Sequence, residues 1–223
     1  MTSRLSVRAI AAWIAFMTGI LLGREATDVQ SFAIAATAAA AMVLLGSAAA
    51  SRSRSLPPRG NAERARLVGL SLLAGAAYGL ANLAANWAIA ESDPALRQLL
   101  VQRFARIEAT HAVVVAPLLE ETGFRLFLLS VLARAFLRLT TRATLAFATA
   151  LVLSSVIFAS LHLARPLPLD PVLADFYRIA MLLKYTPAGL LLGWIFWRWG
   201  LPYSMVCHAA ANAAHRAFES LAF

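Results

Sequence analysis

Residues 116–129 read APLLEETGFRLFLL and place two adjacent carboxylates, Glu120 and Glu121, and the guanidinium of Arg125 inside an otherwise apolar run. Each charge at the centre of a spanning helix costs about 2.5 to 3.5 kcal/mol on insertion scales, so the three together need about 7 to 10 kcal/mol of compensation. Glu121 and Arg125 are four residues apart, share a helix face and can pair. Glu120 is rotated by about 100° from Glu121 and needs a partner from elsewhere.

A solvated loop is the alternative explanation for these charges. The flanking stretches HAVVVAPLL (111–119) and FRLFLLSVL (124–132) are apolar and leave little room for a loop. Pro117 lacks an N–H and is expected to kink or open the helix, which would admit water beside the carboxylates. We therefore interpret the charges as intramembrane groups, which are functional by default.

The composition of the 223-residue chain is typical of an integral membrane protein. Hydrophobic residues make up 61% and charged residues 14%, which is more apolar surface than one soluble core could bury. The net charge of +9 is compatible with nucleic-acid binding, but 19 of the 20 basic residues are Arg, and most of them fall in short gaps between apolar runs. Because that pattern is typical of loops that set membrane topology, no nucleic-acid partner is predicted.

Seven apolar runs approach the length of about 20 residues that a membrane crossing needs. They predict an all-α, polytopic transmembrane helix bundle that forms one integral membrane domain over residues 1–223. Residues 1–107 would supply N-terminal helices and a connector, and residues 108–215 the helices that follow. The runs lie near residues 7–23, 30–50, 67–90, 109–133, 143–163, 174–198 and 202–221.

The gaps between the runs predict how the chain is oriented. Arg-rich gaps fall on one side of the membrane and gaps that are poorer in Arg on the other, so the N-terminus is predicted to be cytoplasmic. Residues 91–107 carry charges and apolar side chains at helical spacing. They form either an amphipathic helix along the interface or a solvated connector.

Two later runs carry polar side chains that could face Glu120. VIFASLHLARP places Phe158 and His162 one helical turn apart, and SMVCHAAANAAH places His208 and Asn212 on one helix face. A lone intramembrane His is more often a structural or interfacial residue. Two His, one Asn and one Glu in the apolar runs of one small protein favour convergence on a common site.

This set of groups predicts hydrolysis of a peptide or ester bond. A carboxylate with a neighbouring imidazole can bind a water and take its proton, while a second imidazole and an amide donate hydrogen bonds to an oxyanion. No Ser or Cys nucleophile is required, and Cys207 is interpreted as a packing residue. Two His and a Glu could also ligate zinc, but the compact HExxH arrangement is absent. His111 and His215 belong to no motif and are left outside the site.

The three motifs together resemble those of one protein family. EETGFR (120–125), FASLH (158–162) and HAAAN (208–212) are similar to the EExxxR, FxxxH and HxxxN motifs of the CAAX prenyl protease and bacteriocin-processing family, also called CPBP or Abi, of intramembrane endopeptidases. The resemblance covers residues 108–215, about half of the chain, and implies that this segment is the catalytic core. Eight crossings are often described for CAAX proteases, whereas seven are counted here.

The resemblance implies a role for each matching residue. Glu120 matches the glutamate that activates the hydrolytic water, and His162 matches the histidine that assists it. His208 and Asn212 match the pair proposed to stabilise the oxyanion. The supporting residues are Glu121 and Arg125, which we expect to orient Glu120 and neutralise charge, and Phe158.

The resemblance implies an intramembrane endopeptidase that cleaves near the membrane in a membrane-anchored protein or a C-terminal tail. It implies glutamate-dependent chemistry, so no cofactor is expected, with zinc as the less favoured version. The expected partners are this substrate and the lipid bilayer, and the Ala, Leu and Arg bias of the chain favours a bacterial inner membrane. Two alternatives remain: an ion- or proton-coupled transporter, and a non-catalytic immunity or accessory protein.

Overall fold

The structure is a computed structural model that describes residues 60–105, 107–163 and 167–222, with side chains described as far as residue 219. Every regular element in these residues is a helix, which confirms the predicted all-α class. The α-helices are α1 (Asn61–Ser92), α2 (Pro94–Ala105), α3 (Ala116–Glu120), α4 (Ser130–Phe136), α5 (Ala143–Leu161), α6 (Pro171–Trp199) and α7 (Leu201–Ala222). Two π-helical segments, His111–Val115 and Glu121–Leu129, lie before and after α3.

The ends of α6 follow from local sequence. Asp170 caps the helix, because its Oδ1 accepts hydrogen bonds from the N–H groups of Val172 and Leu173 at 3.0 and 3.1 Å, and Pro171 occupies the first helical position. At the other end Gly200 adopts φ 111°, a left-handed conformation that favours glycine, and its N–H bonds to Phe196 O at 2.9 Å. This single residue joins α6 to α7.

The fourth apolar run is a helix whose hydrogen-bonding pattern changes around Pro117. In an α-helix the N–H of residue 117 would bond to the carbonyl of Val113, and proline has no N–H to give. The Ala116 N–H instead bonds to the carbonyl of His111, five residues earlier, which is the π-helical pattern. The predicted opening of the helix therefore takes the form of π-helical turns on both sides of α3, and the second of them begins at Glu121.

Three described helices, α1, α5 and α6, are long and apolar enough to cross a membrane. They correspond to the third, fifth and sixth predicted runs. The first two runs lie outside the described residues, the fourth is divided among short segments, and the seventh is the helix α7, which does not meet the same criterion. Seven crossings therefore stay a prediction, as does the single-domain organisation.

Contacts within the described chain divide it into two compact units. Residues 119–154 belong to one, and residues 60–118 together with 155–219 to the other. In the second unit, α1 and α2 pack with α6 around six buried residues. These are Ile89, Ala90, Leu96, Leu100, Tyr177 and Met181. The connector predicted at residues 91–107 is thus largely helical, with Leu96 and Leu100 buried in protein.

The closest helix pair of this unit is α1 and α7. A Cβ built on Gly75 would lie 2.1 Å from Cys207 O, and one built on Gly79 would lie 2.2 Å from Ala211 O. Only a hydrogen atom fits at these two positions, so the two backbones touch over a small-xxx-small surface. From the first contact to the second, residue number increases by four in both helices, so α1 and α7 are parallel.

Candidate active site

The buried ion pair predicted in the fourth run is present. Arg125 Nε lies 3.3 Å from Glu121 Oε2, and both side chains are fully buried. The Ser130 hydroxyl donates to the Arg125 carbonyl at 3.3 Å within the same π-helical region. Glu120, the last residue of α3, is half-buried, unlike Glu121. The two adjacent carboxylates therefore occupy different environments, as the rotation between them predicts.

His162 follows the last residue of α5 and is fixed by rings on two sides. Its ring meets Phe158 edge-on at a centroid distance of 4.6 Å and stacks on Tyr185 of α6 at 4.3 Å. Nδ1 lies 2.8 Å from the carbonyl oxygen of Phe158. Because a carbonyl can only accept, the neutral ring carries its proton on Nδ1 and its lone pair on Nε2. The predicted one-turn spacing of Phe158 and His162 is thus a direct contact that sets the tautomer of a potential base.

His208 and Asn212 lie one turn apart on α7, as predicted. His208 is buried and Asn212 is half-buried. Asn212 Nδ2 donates to the carbonyl of Ala112 at 2.7 Å. That carbonyl has no backbone partner within the helix. The N–H of Ala116, four residues on, bonds to the carbonyl of His111 instead, and Pro117, five residues on, has no N–H. One amide N–H holds the side chain in place, and the amide has a second N–H to donate.

The structure brings some predicted site residues together within each unit. Glu121 pairs with Arg125 in one unit, and in the other Phe158 contacts His162 while His208 and Asn212 share a helix. The convergence of Glu120 with His162, His208 and Asn212 stays a prediction. Helix α6 runs without a break from Pro171 to Trp199, with Pro187 inside it.

A buried polar network lies outside the three motifs. Lys184 Nζ donates to Asn86 Oδ1 at 2.6 Å, and Asn86 Nδ2 donates to His215 Nε2 at 2.8 Å. His215 Nδ1 in turn lies 3.7 Å from Glu219 Oε2. Sequence reasoning left His215 outside the site and did not single out Asn86. The signal that could have found this network is the placement of a Lys and an Asn inside apolar runs, where polar groups are expensive.

Within the described residues, no group of three His, Cys, Asp or Glu side chains is arranged to hold a metal ion. The single cysteine, Cys207, is buried where α7 touches α1, in agreement with its interpretation as a packing residue.

Comparison with known proteins gives the family. The profile of the family described as "Type II CAAX prenyl endopeptidase Rce1-like" matches residues 102–214, just over half of the chain. The chain belongs to this Rce1-like family. The match confirms the family suggested by the three motifs, and the apolar helices together with this membership indicate a membrane protein of a protease family. No curated protein and no solved structure matches the chain.

Proposed function

We propose that the protein is an intramembrane endopeptidase of the glutamate type. The observation that carries the proposal is that all seven predicted site residues lie inside the segment that matches the Rce1-like family. The substrate would be a membrane-anchored protein or a C-terminal tail that presents its peptide bond near the membrane. The expected location is a bacterial inner membrane, with the N-terminus in the cytoplasm.

In this mechanism Glu120 takes a proton from a bound water, and the resulting hydroxide attacks the carbonyl carbon of the scissile bond. His162 assists through Nε2, the nitrogen that its contact with the Phe158 carbonyl leaves as the base. His208 and Asn212 donate hydrogen bonds to the oxyanion. Collapse of the tetrahedral intermediate breaks the C–N bond, and Glu120 passes its proton to the leaving amine.

The pair of Glu121 and Arg125 supports this assignment through electrostatics. Arg125 neutralises Glu121 in a fully buried pair, which removes the like-charge repulsion that a bare Glu121 would exert on the adjacent Glu120. No metal ion or other cofactor is part of the proposal.

We also propose seven crossings. If every predicted apolar run crosses the membrane, the third and seventh runs cross it in the same direction. The parallel contact of α1 and α7 supports that arrangement within the described part of the chain.

The test uses the full-length protein in lipid nanodiscs. The substrates are two quenched fluorogenic peptides, one with an S-farnesylated CAAX tetrad and one unlipidated transmembrane peptide. We expect cleavage of at least one by the wild type, and a rate at least about 10²-fold lower for Glu120→Gln, since a general base contributes about 10² to 10⁴. Glu108→Gln, at an exposed position of the same matched segment, is the matched control and should cleave normally.

Two results would overturn the proposal. Normal cleavage by folded Glu120→Gln would remove the assigned base. Absence of cleavage by the wild type, with solute flux in proteoliposomes, would favour the transporter alternative instead.

A further inference from the structure

The long helices of the described chain have fixed relative directions. The two glycine contacts make α1 and α7 parallel. A Cβ built on Gly189 of α6 would lie 2.7 Å from Ser155 Cβ of α5, and Tyr185, four residues before Gly189, stacks on His162, seven residues after Ser155. Residue number therefore rises in α5 as it falls in α6, so these two helices are antiparallel.

Helix α6 is antiparallel to α7 as well. Cys207 and Leu192 lie in one buried cluster. His215, eight residues after Cys207, shares Asn86 as a hydrogen-bond partner with Lys184, eight residues before Leu192. Since α1, α5 and α6 are long and apolar enough to cross a membrane, α1, α5 and α7 end at the membrane face where α6 begins. We call this the α6-start face and the opposite one the α6-end face.

Two stacked rings of the candidate site lie toward the α6-start face. His162 directly follows the last residue of α5, about 28 Å from the beginning of that helix at 1.5 Å per residue. Its stacking partner Tyr185 lies seven residues, about 10 Å, after Arg178 and thirteen residues, about 20 Å, before Arg198. Both rings are partly exposed.

The side chain of Asn212 also lies toward the α6-start face. It bonds to the carbonyl of Ala112 at 2.7 Å, and Ala112 lies four residues after the exposed Glu108, which precedes the fourth apolar run. Asn212 is four residues, about 6 Å, before Arg216 and eleven residues, about 16 Å, after the first residue of α7. His208 lies one turn deeper. The shorter path to these groups therefore starts at the α6-start face.

The two faces differ in positive charge. At the α6-end face, the gaps before α1 and α5 (51–66 and 134–142) hold five and three Arg. At the α6-start face, the gaps 91–108 and 164–178 hold three and two Arg. Short gaps rich in Arg stay in the cytoplasm, because exporting a positive charge works against the membrane potential. This bias favours a cytoplasmic α6-end face, the same orientation as the predicted cytoplasmic N-terminus.

Ion pairs further lower the positive charge of the α6-start face. Arg97 of α2 pairs with Glu91, and Arg178 of α6 pairs with Asp175 at 2.7 Å. Both carboxylates lie in the same gaps as their partners. The difference in charge between the two faces is thus larger than the numbers of Arg alone indicate.

We propose that the candidate site opens to the outer face of the cytoplasmic membrane, and that its substrate is an exported, membrane-anchored protein whose scissile bond lies on that face. This inference rests on the proposed endopeptidase function and narrows its substrate class. A tail that stays in the cytoplasm would lie on the wrong side of the bilayer to reach the site.

The first test measures which residues are accessible from outside the cell. Single cysteines are introduced at exposed positions, two on each face, and spheroplasts of a bacterial host are treated with a membrane-impermeant maleimide. We expect Gln98→Cys and Pro168→Cys, on the α6-start face, to be labelled in intact spheroplasts. Ala62→Cys and Thr141→Cys, on the α6-end face, should be labelled only after lysis.

The wild type is the matched control, because its single cysteine, Cys207, is buried and should stay unlabelled until the protein is denatured in SDS. Two positions on each face keep the test readable if one variant fails to accumulate. The reverse pattern, labelling of all four variants in intact spheroplasts, or labelling of positions 98 and 168 only after lysis would overturn the inference.

The second test concerns the substrate. The unlipidated transmembrane peptide of the nanodisc assay is expressed as a fusion protein in two orientations, with the cleaved segment either outside or in the cytoplasm. We expect the wild type to cleave only the fusion whose segment is outside, and Glu120→Gln to lose this cleavage. Cleavage of the cytoplasmic segment, or cleavage of the farnesylated peptide alone in nanodiscs, would overturn the substrate class.

A failure of this inference differs from a failure of the proposed function. The labelling pattern does not depend on cleavage, so it reports the side of the site even for an inactive protein. Normal cleavage by folded Glu120→Gln would instead contradict the endopeptidase mechanism, whichever face is labelled.

Discussion

The contact between α1 and α7 makes Gly79 a position where one methyl group should disturb the site. A Cβ on residue 79 would lie 2.2 Å from Ala211 O, and real Cβ contacts are essentially never under 3.0 Å. The atom in the way belongs to the backbone and cannot rotate aside, so Gly79→Ala should push the two helices apart by about 1 Å. Ala211 lies directly before Asn212 and three residues after His208, and both would move with it.

The magnitude is the difference between two opposing effects. Alanine favours a helix over glycine by about 1 kcal/mol, whereas overpacking costs about 1 to 3 kcal/mol, at the upper end when the clash is with backbone. We expect Gly79→Ala to be destabilised by about 1 to 2 kcal/mol. Gly69→Ala is the matched control, since a Cβ there meets nothing within 4 Å, and it should be stabilised by up to about 1 kcal/mol.

The assay is reversible unfolding of the reconstituted protein in SDS together with peptide cleavage. A displacement of about 1 Å in a catalytic group can cost 10²-fold in rate, so Gly79→Ala should cleave about 10²-fold more slowly while Gly69→Ala cleaves normally. If Gly79→Ala were as stable and as active as Gly69→Ala, the close contact of α1 and α7, and the dependence of the site on it, would both be refuted.

Three further predictions concern the predicted active site. Arg125→Met should destabilise the protein by about 3 to 5 kcal/mol in SDS unfolding, because it leaves the Glu121 carboxylate buried without its cation. Adding Glu121→Gln should recover most of this loss, and no recovery in the double variant would contradict the pairing. Asn212→Ala should lower the cleavage rate by about 10²- to 10³-fold, the usual effect of losing an oxyanion donor, and an unchanged rate would rule out that donor. It should also lower the free energy of unfolding by about 1 kcal/mol, because the hydrogen bond to Ala112 is lost. Incubation with 1,10-phenanthroline should leave cleavage unchanged, whereas inhibition reversed by zinc would show metal-dependent chemistry instead.

Much of the motif chemistry could be predicted because it depends on local spacing. Glu121 and Arg125 are one turn apart, and so are Phe158 and His162, and each pair is in contact. The sequence predicts an opening of the helix at Pro117, because the missing N–H is evident from the residue type. It does not predict that the chain adjusts by forming π-helical turns.

The buried network could not be predicted from spacing. Asn86 and Lys184 are 98 residues apart, and only the packing of α1, α6 and α7 brings them and His215 together. No sequence spacing identifies Asn86 and Lys184 as partners. An Asn in an apolar run is equally compatible with a role in helix packing.

The sequence by itself determined the all-helical membrane class, the family and the identity of the motif residues, because the cost of burying polar groups in lipid restricts where they occur along a chain. Tertiary structure alone decided that the Ala112 carbonyl holds Asn212, that Tyr185 stacks on His162, and that Lys184 lies beside the same tyrosine ring. The Asn212–Ala112 and Tyr185–His162 contacts join segments that are far apart in sequence, so no local spacing encodes them.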